Sequence, residues 1–521
     1  MSAAAAGGGF VEVKHRGLIT ISSMVAMIMV VLDMTIANVA LPHMQTSLGA
    51  SQDTITWVLT SYIVAAAIAT PITGWLSDNF GRKRVFLVSI AGFVAASALC
   101  GTAFGLEEMV VFRVAQGAFG ASLAPLSQAV LMDINPRERQ GQAMALWGAG
   151  IMIAPILGPT LGAYLTDHLN WRWVFYINLP IGVLAFVGVL LFMPETQKRI
   201  RRFDFFGFAM LSLAVGSFQF MLDRGSALDW FNSTEVVIEL GIAIAAAWVF
   251  VVHMMTDREP FLETALFRDR NFVASLALIF LVGIILLATM ALLPPMLQTL
   301  FDYPVVTVGL VLAPRGIGTM ISMLVVGRLV RLVDPRLLVL AGLLLASLSL
   351  WMMTGFSPAM DEWPLIFSGV IQGFGIGLVF IPLSTVAFAT LAPRFRTEAT
   401  SLFNLMRNLG SSIGVSIMAF MLTTNIQTHR AALTEALTPY GDRLAGAGFD
   451  PATLVTPAGL QTAAQLDGLV NAQAMMLAYV DDFRLMLGIT FCATPLLLLL
   501  RYRKPGAAEA AGGPPAAAMA D

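Results

Sequence analysis

The sequence predicts an all-α, polytopic membrane protein with fourteen spans. Three observations predict it. Of 521 residues, 57% are hydrophobic and only 12% are charged, about half the charged share of a soluble domain. Mean hydropathy is +0.80. Apolar stretches of about 20 residues, the length that crosses a hydrocarbon core, recur along the whole chain.

In order, the predicted spans are 18–41, 55–76, 85–104, 109–132, 143–165, 174–193, 205–222, 236–255, 272–297, 305–330, 337–353, 365–391, 400–423 and 483–500. The eleventh and fourteenth are the shortest. Basic loops near 14–16, 82–84, 137–139, 198–202, 258–270, 328–336, 394–396 and 501–504 alternate with loops carrying only Arg172, Arg224, Arg430, Arg443 and Arg484. The positive-inside rule makes the richer side cytoplasmic. Both termini then lie inside, which requires an even number of spans. The longest polar connection, 425–479, is external. It carries Pro439, Gly441, Pro451 and Pro457 between short helix-like stretches, and reads as a loop or as a docking surface. Residues 1–9 and 505–521 are Ala/Gly/Pro-rich and read as disordered tails.

Composition excludes several classes of function. The net charge is −2, and there is no basic stripe outside short loops, so nucleic acid is not an expected partner. Cys100 and Cys492 both fall in apolar segments, which leaves no disulfide framework or thiolate metal site. His15, His43, His168, His253 and His429 are scattered near span ends, so no metal centre is expected. No GxxxxGK[ST] phosphate loop occurs, so ATP is not the direct driver. No nucleophile–base set or soluble sensor domain is visible, which argues against an enzyme or a receptor. The first apolar stretch is too long for a signal-peptide core and reads as a retained span.

Asp33 stands alone inside the first apolar helix. An acidic side chain at a helix centre costs about 2.5–3.5 kcal/mol on insertion scales. Such a residue binds an ion, moves a proton or pairs with a buried base. Arg113, in the fourth span, is a candidate partner. Asp33 lies about 12 Å below the outer end of its helix, and Arg113 about 9 Å below the outer end of an oppositely running one, so the two meet at one depth. A movement separating them would raise the carboxylate's proton affinity, which is what a coupling site needs.

The second and third spans are joined by Gly74-Trp75-Leu76-Ser77-Asp78-Asn79-Phe80-Gly81-Arg82-Lys83-Arg84. Gly74 and Gly81 permit close backbone approach, and Asp78 can accept charge-assisted hydrogen bonds. The loop resembles the signature of the major facilitator superfamily, where it acts as a latch between two halves; Asn79 stands where a basic residue is usual. Leu32-Asp33-Met34-Thr35-Ile36-Ala37-Asn38-Val39-Ala40-Leu41-Pro42 resembles the first-helix signature of the fourteen-helix drug:proton antiporters, the EmrB-like branch. Arg113-Val114-Ala115-Gln116-Gly117-Ala118-Phe119-Gly120-Ala121 is similar to the fourth-helix pattern, whose arginine the family links to proton transfer. In the fifth span Gly150, Ala154, Gly158 and Gly162 fall four apart and form a flat packing face. Pro155 and Pro159 bend that helix. Gly158-Pro159-Thr160-Leu161-Gly162 resembles the antiporter signature. Trp171-Arg172-Trp173-Val174-Phe175-Tyr176-Ile177-Asn178-Leu179-Pro180 reads as a structural aromatic belt and resembles a marker of the same branch. Weaker echoes follow at 327–336, Pro294-Pro295, Pro314-Arg315-Gly316 and 402–410.

The resemblance implies a major facilitator fold: two six-helix bundles, 18–198 and 261–504, with two inserted helices in 199–260. It implies a proton-coupled exporter of amphipathic drugs or toxic compounds working by alternating access, with the proton as coupling ion and no other cofactor. It places the chain in a bacterial inner membrane and suggests a periplasmic adaptor and an outer-membrane channel as partners. A dedicated exporter of a metabolite, siderophore or fatty acid on the same fold is the alternative. Asn38, Gln116, Arg315, Asn404 and Arg407 are the candidate lining of the substrate pathway. Arg315 and Arg407 lie well inside spans. They either pair with carbonyls and polar side chains or leave the pathway with spare positive charge, which suits neutral or weakly acidic amphiphiles. Asp33 is the only carboxylate expected to lie deep.

Overall fold

The computed structural model describes residues 13–196, 198–225, 227–436 and 457–500. Every regular element among them is a helix. Leaving aside the short turns at Gln52–Ile55 and Ala265–Arg268 and the 3-10 turns, the helices are α1 (Arg16–Ser47), α2 (Trp57–Ala69), α3 (Thr73–Phe80), α4 (Arg82–Thr102), α5 (Leu106–Gly120), α6 (Leu123–Ile134), α7 (Arg137–Ile151), α8 (Ile153–His168), the single turn α9 (Trp173–Tyr176) that opens the sixth span, and α10 (Asn178–Phe192). Then come α11 (Phe205–Gly225), α12 (Thr234–Thr256), α13 (Arg270–Leu300), α14 (Val305–Leu329), α15 (Pro335–Met353), α16 (Trp363–Ala389), α17 (Arg396–Ala436) and α18 (Pro457–Ala493).

Prolines explain why four spans are split. Pro71, Pro125, Pro155 and Pro180 cannot donate to the carbonyl four residues earlier. The breaks fall at or just after those acceptors: between α2 and α3, α5 and α6, α7 and α8, and α9 and α10. The sequence predicts the bend of the fifth span; the other three breaks follow the same rule. Among the described residues thirteen helical stretches are long and apolar enough to cross a membrane, with α5–α6, α7–α8 and α9–α10 each counted as one, and α2 with α3, bent by 56°, brings the number to fourteen.

The helices pack as two bundles with matching neighbours. In the first, α1 packs on α8 and α10, α2 on α5, and α4 on α5 and α10. In the second, α13 packs on α17 and α18, α14 on α16, and α15 on α16 and α18. The inserted pair stands outside this pattern. Helix α11 leans on α2 and α17, and α12 leans on α11, presenting Trp248 and Met255 outward at 71% and 77% exposure. Apolar side chains that face neither bundle suit a lipid environment.

The segment 425–479 differs from the expectation of a loop. Helix α17 runs on to Ala436 and α18 starts at Pro457, while residues 437–456 lie outside the described residues. Local helix propensity and pairing carry both helices beyond the apolar stretch, which a hydropathy reading cannot detect. His429 Nε2 lies 2.7 Å from Asp481 and Arg430 Nη2 lies 2.9 Å from Asp467, tying the two extensions together. The tails 1–9 and 505–521 also lie outside the described residues.

Candidate functional site: a buried carboxylate and a charged latch

Helix α1 buries Met29, Asp33, Ile36, Ala37, Ala40 and Met44, a three-to-four spacing that marks one face. Helix α5 buries Met109, Arg113, Gln116, Gly117 and Gly120 on its own face. Gly117 is needed there, because a Cβ would overlap the Tyr62 carbonyl of α2. That close approach lets Arg113 Nε donate to the Val58 carbonyl at 2.9 Å.

The two faces meet at Asp33. Arg113 Nη1 donates to Oδ2 at 2.7 Å. Gln116 Nε2 donates to Oδ1 at 2.9 Å, and Asn178 Nδ2 donates to the same oxygen at 2.7 Å. Ser97 lies beside Asn178 at 3.0 Å. Arg113 also donates to Gln116 Oε1 at 2.7 Å and lies over the Tyr62 ring at 4.5 Å. Asp33, Arg113, Gln116 and Asn178 are all 0% exposed. The carboxylate faces donors only, two on Oδ1 and one on Oδ2, an arrangement that favours its ionised form.

Asp33 and Arg113 thus meet, as their matching depths predict. Sequence reading missed Asn178 and Ser97. Asn178 belongs to a stretch that reads as an aromatic belt, and the available signal was its amide at the head of an apolar run. Gln116, expected on the substrate pathway, is instead held within the carboxylate cluster.

The fifth-span glycines sit between two helices. A Cβ at Gly150 would overlap Met24, and one at Gly158 would overlap Thr35; at Gly162 it would lie 3.3 Å from the Ile36 backbone. All three contacts are with α1. Pro159 and Ile156 face Gly309 and Gly316 of α14, so the other side of α8 meets the second bundle.

Hydrogen bonds between the halves cluster at the end carrying the basic loops. Arg82 is ion-paired with Asp133, and Arg396 Nη1 reaches the other oxygen of Asp133 at 2.8 Å. Asn404 Nδ2 donates to Gln128 Oε1 at 2.9 Å, which makes Asn404 an interface residue. Arg331 Nη2 donates to Gln142 Oε1 at 2.8 Å. Gly74 meets Glu398 of the opposite half, where a Cβ would lie 3.2 Å from its backbone. Gly327 meets Ala145 in the equivalent way. Gly81 has φ +88°, a conformation that favours glycine.

The connection after α10 folds across this latch. Arg199 N donates to the Asp78 carbonyl at 2.7 Å and Arg201 N to Asn79 Oδ1 at 3.2 Å. The Arg201 guanidinium lies 3.2 Å from Glu398, 3.5 Å from Glu263 and 3.6 Å from Asp78. Burial alone would lower the Arg201 pKa; the carboxylates of Glu398, Glu263 and Asp78 outweigh it and hold the group above its ordinary value. Sequence reading also missed Asp133, Glu263 and Glu398, and gave Arg201 only the meaning of topological charge.

Of the remaining candidate pathway residues, Arg407 Nη2 donates to Asn408 at 3.3 Å, Arg315 is buried on α14 and Asn38 is exposed on α1. Two further expectations change. Asp33 is not the only deep carboxylate, because Asp482 on α18 is also 0% exposed. His253 is not isolated, since Asp204, His253 and Asp257 bring ligand atoms within 4.8 Å. Asp204 there accepts from the Gly207 and Phe261 backbones as well as facing His253 at 3.0 Å, which accounts for it as the tie between the inserted helices.

Two matching bundles with an inserted pair, a buried ion pair in one bundle and a charged latch at one end define a membrane transporter rather than an enzyme. The sequence matches the Major Facilitator Superfamily over residues 23–415. It is 39% identical to the multidrug export protein EmrB of Escherichia coli K12 over 426 residues, covering 81% of this chain and 83% of that protein. It is 37% identical to the fatty acid resistance protein FarB of Neisseria gonorrhoeae, covering 82% of this chain and 84% of that one. The fold also matches the crystal structure of the human organic anion transporter MFSD10 with a TM-score of 0.60 at 16% identity, over 91% of this chain and 99% of that one. The chain belongs to the major facilitator superfamily, in its EmrB-like branch.

Proposed function

We propose that this protein is a proton-driven exporter of amphipathic compounds, working by alternating access in a bacterial inner membrane. Its basic end and both termini lie in the cytoplasm, following the loop charges. The observation that carries the reading is Asp33, fully buried and held by Arg113, Gln116 and Asn178 at 2.7–2.9 Å. Donors turned toward a carboxylate favour its ionised form, and a proton binds more readily once they turn away. A rearrangement of α1 against α5 and α10 would therefore change its proton affinity, and that change couples protonation to the conformation of the carrier. The arrangement described has its basic end tied shut by Asp133, Arg396 and Arg201, which corresponds to access from the opposite side.

Reconstituted protein under an imposed pH gradient tests this. Asp33→Asn should bind substrate but fail to accumulate it, with uptake no longer responding to the gradient. Gradient-dependent accumulation at the wild-type level would reject the role of Asp33.

A second reading has its own support. Arg315 and Arg407 place two guanidinium groups within the second bundle, and FarB is named for fatty acid resistance. A weakly acidic amphiphile is the cargo that such charges favour, and transport assays comparing acidic with cationic amphiphiles separate the readings. The extensions of α17 and α18 that bracket residues 437–456 offer a rigid base on which a periplasmic adaptor would dock, leading to an outer-membrane channel.

A further inference from the structure

The second bundle repeats the scaffold of the Asp33 site. Gln116-Gly117 on α5 has a counterpart in Gln372-Gly373 on α16. Each glycine is pressed against a backbone carbonyl of the preceding partner helix: Gly117 against Tyr62 of α2, Gly373 against Arg315 of α14. Each glutamine is 0% exposed. Gln116 Nε2 donates to Asp33 on the bundle's first helix at 2.9 Å, and Gln372 Nε2 donates to Thr289 on α13, the first helix of its bundle, at 3.2 Å.

The acid itself is displaced to the bundle's last helix. Asp482 on α18 is 0% exposed, and neither carboxylate oxygen has a hydrogen-bond partner among the described residues. Met486, one turn along on α18, lies 3.7 Å from Thr289 Oγ1, so Asp482 stands one turn from the Thr289–Gln372 pair. Gln372 Oε1 is likewise buried without a partner among the described residues. By helix rise, Asp482 lies about 28 Å from the basic end of its span and Asp33 about 26 Å from the basic end of α1, so the two acids sit at matching depth.

Among the described residues no base neutralises Asp482. Its neighbour Asp481 pairs with His429 at 2.7 Å and Arg484 at 3.0 Å. On the helices packed against α18, Arg270 donates to the Leu499 carbonyl at the basic end, Arg336 starts α15 at that same end, Arg407 bonds Asn408 and Arg430 pairs with Asp467. Tyr479, one turn back on α18, is the remaining titratable group nearby. An ionised carboxylate buried without donors is strongly disfavoured, and taking up a proton removes that cost.

We propose that Asp482 is a second proton-carrying site, serving the second bundle as Asp33 serves the first. The step is a simple protonation: water on one side delivers a proton, one Oδ–H bond forms, and the proton later returns to water. Coupling then involves one carboxylate in each half. This extends the proton-coupled reading of Asp33, and the test keeps the two apart.

The experiment uses the full-length protein in proteoliposomes, with pH-difference infrared spectra and a proton-to-substrate count for wild type, Asp33→Asn, Asp482→Asn and the double variant. The wild type should show a protonated-carboxyl stretching band that Asp482→Asn removes, and Asp482→Asn should lower the proton count per substrate by one. Asp33→Asn should alter a different component. A spectrum and proton count unchanged by Asp482→Asn would overturn the proposal. An effect of Asp482→Asn without one of Asp33→Asn would instead reject the Asp33 reading and leave this one standing. If Asp482→Asn does not yield monodisperse protein, the Asp33→Asn spectrum decides: absence of any protonated-carboxyl band there overturns the proposal.

Discussion

Replacing Arg113 by leucine tests the Asp33 cluster most directly. The guanidinium makes three contacts within the core, to Asp33 Oδ2, Gln116 Oε1 and the Val58 carbonyl, and it is 0% exposed. Removing one partner of a buried pair leaves the other charge uncompensated and costs about 3–5 kcal/mol. Gln116 and Asn178 still donate to Asp33 Oδ1, which puts the expected loss at the lower end of that range. Asp33→Asn should cost as much or more, because it leaves the Arg113 charge unpaired and turns an amide NH2 toward the donors on one side of the site. The double variant, with no charge left to bury, should be more stable than the sum of the single losses predicts, by about 1–3 kcal/mol of coupling. Thermal unfolding of the detergent-purified variants measures all three losses. Additive losses, or an Arg113→Leu variant as stable as wild type, would show that the ion pair does not organise this core.

Other outcomes follow from the packing and the latch. Gly158→Val should overlap Thr35 and destabilise the protein by about 1–3 kcal/mol, read as a lower melting temperature, whereas Gly241→Ala, which meets nothing within 4 Å, should be neutral. Arg396→Ala releases the bond to Asp133 at 2.8 Å and should favour opening of the basic end by about 1–3 kcal/mol, roughly 5–150-fold in the ratio of open to closed; spin labels at positions 139 and 394 report the distance. The raised pKa of Arg201 means that its contribution is complete at neutral pH and is lost only above the ordinary arginine value. Its partner Glu398 is pushed up to about 7 by burial, so the latch distance should stay constant from about pH 8 to 9, where both groups are charged, and loosening in that range would contradict the role given to Arg201.

The sequence reveals whatever depends on distance along one helix. Hydropathy locates the spans, and helical rise alone brings Asp33 and Arg113 to one level. It fails where the chain returns from afar. Arg201 and Glu398 are 197 positions apart, and nothing local links a basic loop residue to an acid at the start of a distant helix. Asn178 is hidden by its aromatic neighbours, which give the segment a sufficient interfacial explanation. Asp482 is hidden by the hydropathy boundary: the predicted span begins at Phe483, whereas pairing with α17 carries α18 from Pro457 to Ala493. The proline breaks are legible only in part: Pro71, Pro125, Pro155 and Pro180 fall at breaks, whereas Pro42, Pro159, Pro314 and Pro382 lack the same donor and lie inside continuous helices.

The two groups of charges differ in what happens to them when the halves separate. At the basic end Arg82, Asp133 and Arg396 are 12%, 14% and 4% exposed at their side chains, and the Arg396–Asp133 contact crosses between the halves. Opening that end returns them to water, and the lost attraction is largely offset by recovered hydration. A latch built this way can hold the closed state and still release it. Asp33 is different, because its partners Arg113, Gln116 and Asn178 all belong to its own bundle. Separating the two halves leaves that cluster intact. Something must therefore act within the bundle to disturb it, and α8 is placed to do so: its glycine face rests on Thr35 and Ile36 of α1 while its other face rests on α14. Motion of the second half would reach Asp33 through that helix, and the coupling proposed above would then run through the closely packed glycines of the fifth span.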